Sequence, residues 1–316
     1  MTRNWLRRAL VAATCLSVAL LAACGSSTTE SAIAPTRFVS FGDGLSDVGQ
    51  GGSRYTVNDG SVNIWTQQIA ANYKTSLAPV SAGGLSYARG NARVLAKPDA
   101  AGNAATPTVK EQVDAFLVSG KFGPSDVVLM NGGVSDVIAL TAAFRAGSQT
   151  AAQTNASARQ AGRDLAAQVR RLVEAGAKYV VVSGTYDLGK TPWATAAGQT
   201  TAISNASSQF NEGLLVDIVD LGGNVLYVDA AFYINLLVGL PGNYSLDNST
   251  AVACNSVDAG PGIGIGNRQI NSALCNISTL AVANYNRVVF ADSVYLAPAA
   301  QRLFGSYAYD RLRTRF

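Results

Sequence analysis

Four short apolar runs fix the frame that this chain can build. They lie at Arg37–Phe41, 127–130, Tyr179–Ser183 and 225–228, are rich in β-branched and aromatic residues, and are followed at once by Gly42, Asn131, Gly184 and Asp229. Runs that stay apolar instead of alternating suit strands covered on both faces, which is the condition of a parallel sheet. Helical patterns fall between them. Over 157–175, Leu165, Val169, Leu172 and Val173 share one face, Arg163, Arg170 and Arg171 lie elsewhere, and Gly176 ends the pattern. Over 204–221, Phe210, Leu214, Ile218 and Leu221 repeat the device, and Pro298 opens a last helix over 298–309. Strand, helix, strand at these spacings predicts a doubly wound parallel sheet in a three-layer α/β/α fold. With no internal repeat and no second boundary, 36–316 reads as one domain. The working cleft of such a sheet lies beyond the carboxyl ends of its strands, which points to the loops that begin at Gly42, Asn131, Gly184 and Asp229.

The first 35 residues read differently. Arg3, Arg7 and Arg8 precede an apolar stretch over 9–21 that is shorter than the roughly 20 residues a membrane-spanning helix needs. Leu21-Ala22-Ala23-Cys24-Gly25 then resembles a bacterial lipobox, which predicts a signal peptide over 1–23 and a lipid on Cys24. Acyl chains there would hold the chain to a membrane by burying methylenes, at about 0.8 kcal/mol each. Gly25, where an aspartate often retains lipoproteins at the inner membrane, favours the outer one, and the Gly/Ser/Thr-rich segment 24–35 reads as a tether. Export also bears on the cysteines. Cys15 leaves with the signal and Cys24 takes lipid, so Cys254 and Cys275 remain to pair in an oxidising compartment.

Composition removes whole classes of function. The 316 residues include no histidine, which excludes imidazole bases, imidazole metal ligands and imidazole pH switches together. The formal net charge is +4, and the three arginines of the signal account for most of it. No basic run follows, so nucleic acid is not expected as a partner. No metal or other cofactor is expected either.

Four blocks carry a resemblance. Phe41-Gly42-Asp43-Gly44-Leu45-Ser46-Asp47 follows the first run, and Gly83-Gly84-Leu85-Ser86-Tyr87-Ala88-Arg89-Gly90-Asn91 comes next. Met130-Asn131-Gly132-Gly133-Val134-Ser135-Asp136 and Phe290-Ala291-Asp292-Ser293-Val294-Tyr295 complete the set. In content and order these are similar to the motif blocks of the GDSL/SGNH ester hydrolases, over roughly 36–310. The resemblance implies an SGNH-type, flavodoxin-like α/β/α fold and a set of equivalent positions. Gly44 stands where the nucleophilic serine belongs, Ser135 where the oxyanion asparagine belongs, and Tyr295 where the base histidine belongs. Gly90, which would supply an oxyanion N–H, and Asp292, which would orient the histidine, are retained.

Glycine offers no attacking oxygen, and a phenol with a pKa near 10 is a poor base at neutral pH. Loss of serine or histidine from a hydrolase triad costs about 10⁶ in kcat. The expectation is a silent member of the family that binds at the envelope, with an acyl ester or glycan as the ligand its cleft would take. The alternative is an active carboxylester hydrolase with a non-standard set, such as Ser46 beside Lys190, or a water activated by Asp136 or Asp292. Asp43, Asp47 and Asp136 read as turn and helix-cap acceptors. Tyr295 beside Asp292 reads as a phenol donating to a carboxylate. Trp65, Tyr73 and Tyr87 read as packing, while Tyr186 and Trp193 would support a sugar or acyl groove if they line the cleft.

Overall fold

The computed structural model describes residues 33–61 and 64–316. The signal segment, Cys24 and most of the tether lie outside the described residues. Ile33 is buried in the core and Pro35 is buried too, so the packed domain begins within the expected tether. An apolar side chain beside an open core edge gains by covering it.

Four strands form one parallel sheet: β1 (Arg37–Phe41), β2 (Asp126–Asn131), β3 (Tyr179–Ser183) and β4 (Val225–Tyr227), in the order β1-β2-β3-β4. Val39 pairs with Val128, Val128 with Val180, and Val181 with Leu226. Val39, Val128, Val180 and Val181 are wholly buried, as runs covered on both faces require. On the outer edge of β1, Ser86 makes a one-residue parallel bridge to Ser40. Ser40 N–H donates to Leu85 O (3.0 Å), and Tyr87 N–H donates to Ser40 O (2.7 Å). The chain therefore leaves β1 to one side and returns as β2 on the other. That reversal makes the carboxyl end of β1 and β2 the switch point of the sheet.

Eight helices flank the strands among the described residues: α1 (Trp65–Asn72), α2 (Val109–Ser119), α3 (Val134–Arg145), α4 (Ala151–Glu174), α5 (Pro192–Ala196), α6 (Thr200–Asp217), α7 (Ala230–Gly239) and α8 (Pro298–Arg315). The long pair α4 and α6 closes through glycine. A Cβ on Gly162 would sit 2.0 Å from Phe210 O, and one on Gly213 would sit 2.1 Å from Arg159 O. α1 and α8 close in the same way, with Gly305 against Trp65 and Gln68 and the Trp65 and Phe304 rings 5.3 Å apart.

Helix α4 begins earlier than its apolar stripe predicts, because Thr150 and Gln153 form a capping box. Gln153 N–H donates to Thr150 Oγ1 (3.2 Å), and Thr150 N–H donates to Gln153 Oε1 (2.8 Å). Helix α6 ends at Asp217, and the expected stretch to Leu221 finishes as a tight turn.

A second, two-stranded parallel sheet pairs β5 (Asn248–Val252) with β6 (Val288–Phe290). Cys254 and Cys275 form a disulfide beside it. The Gly-rich segment that the disulfide closes is laid on the body of the domain. Asn91 Nδ2 donates to Gly262 O (2.9 Å), a Cβ on Gly264 would lie 2.4 Å from Ala100 O, and Ile263 is buried in the core.

Candidate active site

The loop after β1 turns on Gly42, whose φ of +150° lies outside ordinary side-chain territory and whose missing Cβ would fall 2.0 Å from Asn131 Oδ1. Asp43 follows, fully buried. Its Oδ1 accepts from Leu45 N–H (3.0 Å) and Asn131 Nδ2 (2.7 Å), and its Oδ2 accepts from Val134 N–H (3.1 Å). Asp43 thus ties the first block to the start of α3, in the structural role expected of it. Burial pushes its carboxyl above the usual range, against the pull of those donors.

Gly44 and Tyr295 meet. A Cβ on Gly44 would lie 2.6 Å from Tyr295 Oη, 2.7 Å from Cζ and 2.9 Å from Cε1. The ring of Tyr295, fully buried, therefore occupies the space that any side chain at position 44 would enter. Its hydroxyl has no hydrogen-bond partner among the described residues. The expected phenol–carboxylate bond to Asp292 is not formed. Asp292 Oδ1 instead accepts the backbone N–H groups of Val294 (2.8 Å) and Tyr295 (2.7 Å), and Oδ2 accepts that of Ser272 (2.9 Å). Three backbone donors engage both carboxylate oxygens and tie the Asp292 loop to Ser272. Burial, with Asp43, Tyr55, Tyr186 and Asp292 nearby, holds the Tyr295 phenol well above its usual pKa.

Tyr55 is the residue that sequence reasoning missed. Its ring lies 4.9 Å from that of Tyr295, and a Cβ on Gly90 would fall 2.0 Å from its Oη. No motif marks Tyr55; only the fold brings it here. The Gly90 N–H donates to Asp47 Oδ2 (2.7 Å), while Asp47 Oδ1 accepts from Gly49 N–H (2.9 Å) and Gln50 N–H (2.8 Å). Ser135 is fully buried near the start of α3, and its hydroxyl also lacks a partner among the described residues. Gly44, Tyr295, Tyr55 and Gly90 thus form one line of contacts, and Asp43 links them to the α3 start that holds Ser135.

The other candidates fall outside this line. Ser46 is fully buried and accepts from Trp65 Nε1 (3.0 Å), whereas Lys190 is exposed on the turn Leu188–Lys190. Nothing joins them among the described residues. Asp136 is buried, its Oδ2 accepts from Val94 N–H (3.0 Å), and its Oδ1 lies 3.5 Å from Arg93 Nε. Burial lifts its carboxyl to about 6 despite Arg93. Tyr186 is buried and donates to Val294 O (2.7 Å), which fastens the Asp292 loop instead of lining an opening. Trp193 borders a cavity of about 380 Å³ with Ile138, Thr141 and Ile265. Tyr73 and Tyr87 pack on Phe38 and Phe41 as expected. Gly44, Ser135, Asp292 and Tyr295 line none of five cavities among the described residues, which run from about 260 to about 690 Å³. The space above Gly44 and beside Gly90 is taken by tyrosine side chains, while a cavity of about 490 Å³ bordered by Asp187 and Asp229 lies at the loops after β3 and β4. Among the described residues no three cysteine or carboxylate groups are arranged to hold a metal, and no helix is long and apolar enough to cross a membrane.

The family model described as GDSL-like Lipase/Acylhydrolase matches residues 38–307. An uncharacterized protein in the trpE-trpG intergenic region of Pseudomonas putida is 27% identical over 297 residues, covering 86% of this chain. The chain spans about half of that relative, 48% of its length. Among solved structures, a carbohydrate acetylesterase from Sinorhizobium meliloti aligns over 89% of this chain and 99% of its own, with 14% identity and a TM-score of 0.46.

Proposed function

The chain belongs to the GDSL-like lipase/acylhydrolase family, and we propose that it is a member without ester hydrolysis that serves as a binding protein of the bacterial envelope. One observation carries the reading: the buried Tyr295 ring fills the volume in which a nucleophile at position 44 would have to stand. Acyl transfer needs an attacking oxygen, a base for its proton and donors for the oxyanion. Gly44 has no oxygen to offer. Tyr295 holds its proton far above neutral pH, and the Gly90 N–H is already given to Asp47. The alternative set fares no better, because Ser46 sits beneath Trp65 as a hydrogen-bond acceptor in the core.

The test is turnover of p-nitrophenyl acetate and p-nitrophenyl butyrate by the purified protein. The expected rate is that of buffer. Turnover above buffer that disappears in Ser46→Ala would overturn the reading in favour of an unconventional hydrolase.

The envelope part of the proposal rests on Arg3, Arg7 and Arg8, the apolar stretch and Cys24. Outer-membrane anchoring through lipid on Cys24 predicts that the expressed chain partitions into detergent, incorporates radiolabelled palmitate, and loses both properties in Cys24→Ser.

A further inference from the structure

The widest of these cavities, about 690 Å³, lies between the second motif block and α2. Its volume is in the range of small-molecule sites. Tyr87, Val80, Ala105, Pro107 and Ala115 give it a largely apolar lining. Three charged side chains complete it. Lys97 Nζ lies 2.9 Å from Glu111 Oε1, so these two neutralise each other. Arg89 is partly buried, and its guanidinium makes no hydrogen bond or ion pair among the described residues. Asp47, whose carboxyl feels the charge of Arg89, already accepts three backbone N–H groups. The lining therefore presents one guanidinium with open donors, a planar fork beside an apolar wall, its charge felt by Asp47 without a direct ion pair.

We propose that this cavity binds a monocarboxylate with a compact apolar body, its carboxylate on Arg89 and its body against Tyr87 and Pro107. Arginine presents paired donors that match a carboxylate. Glu111 limits the site to a single negative charge and disfavours a phosphate dianion, while burial of apolar surface would hold the remainder. The cavity shares no lining residue with the line Gly44–Tyr295–Tyr55–Gly90, although Arg89 adjoins Gly90 in the chain and its charge reaches Tyr55. It deepens the binding reading above by naming a place and a ligand class. The ester assay tests catalytic silence separately, so either claim can fail without the other.

The experiment is calorimetric titration of the full purified chain with benzoate, with benzamide as the neutral isostere. Saturable binding of benzoate is expected, with benzamide and the Arg89→Gln variant each weaker by about tenfold or more. Ala115→Trp, placed on an exposed position at the rim, should block benzoate while leaving the melting temperature unchanged. Equal affinity for benzoate and benzamide, undiminished binding in Arg89→Gln with a parental melting profile, or no saturable heat at millimolar benzoate would each overturn the proposal.

Discussion

The contact between Gly44 and Tyr295 gives a double-mutant cycle whose two halves have opposite signs. Gly44 carries no positive φ, so alanine there meets no backbone penalty. The Cβ, however, would approach Tyr295 Oη to 2.6 Å and Cζ to 2.7 Å, and the ring is wholly buried with nowhere to retreat. Gly44→Ala should therefore destabilise the parent chain by roughly 1–3 kcal/mol, the usual range for overpacking. Tyr295→Leu removes the outer half of the ring. In that background the same alanine meets open space, and it should stabilise by about 0.4–1 kcal/mol through the entropy of the unfolded chain. The coupling between the sites is the difference, on the order of 1.5–4 kcal/mol. Urea unfolding of the four proteins at constant slope measures it. A third variant checks the orphaned hydroxyl: Tyr295→Phe should be neutral or stabilising by about 1 kcal/mol, since a buried donor without a partner is a liability. Additivity of Gly44→Ala and Tyr295→Leu within about 0.5 kcal/mol would refute the steric account.

Further outcomes follow from single residues. Asp136 keeps its proton to about pH 6 in the folded protein, against an ordinary value near 3.8, so its stabilising effect is complete below pH 3.8 and is lost as the pH climbs to 6. In thermal or urea unfolding across pH 4 to 7, Asp136→Asn should gain on the parent by roughly 3 kcal/mol as the pH rises, and a flat difference would show that Asp136 is not buried as described. Ser46→Ala removes the acceptor of Trp65 Nε1 and should cost about 1–3 kcal/mol in stability, with the ester rate unchanged at the buffer level. Replacing Cys254 and Cys275 together by alanine releases a 21-residue link and should cost about 3 kcal/mol by the chain-entropy account; a melting curve under oxidising conditions decides.

The strands were legible because their evidence is local. Val127 to Met130 and Val180 to Val182 are short, unbroken, β-branched apolar runs, and a sheet covered on both faces buries such runs completely. Some of what was missed was local too. Thr108-x-x-Glu111 and Thr150-x-x-Gln153 are capping boxes, and reading them would have found α2 and set the true start of α4. Helix α3 had no such signal. It starts after Gly133 at φ +110° and is buried nearly all round its first turns, polar Ser135 and Asp136 included, so no apolar stripe marks it. In the candidate site, motif order located Gly44, Ser135 and Tyr295, but motifs record identity and not contact. The approach of Tyr295 to Gly44, the insertion of Tyr55 against Gly90 and the closure of the space between them join segments far apart in the chain.

The geometry also makes the substitutions unequal. Tyrosine at 295 needs the volume above Gly44, as the 2.6–2.9 Å approaches to an absent Cβ demonstrate. A chain with serine at 44 has no room for that ring, because close-packed interiors do not absorb a steric overlap of this size without displacement. A chain with glycine at 44 has room for either an imidazole or a phenol at 295. Removal of the side chain at 44 is thus the change that permits the other, and Tyr295 then fills the space with apolar ring at the expense of one unsatisfied hydroxyl. Restoring a hydroxyl at 44 alone should consequently fail as a repair. Gly44→Ser would place its oxygen against a ring that can neither accept its proton nor move aside, and the variant should unfold more readily than the parent while its ester rate stays at that of buffer. A Gly44→Ser chain as stable as the parent would mean that Tyr295 can leave its seat, and with it that the space remains open to a ligand.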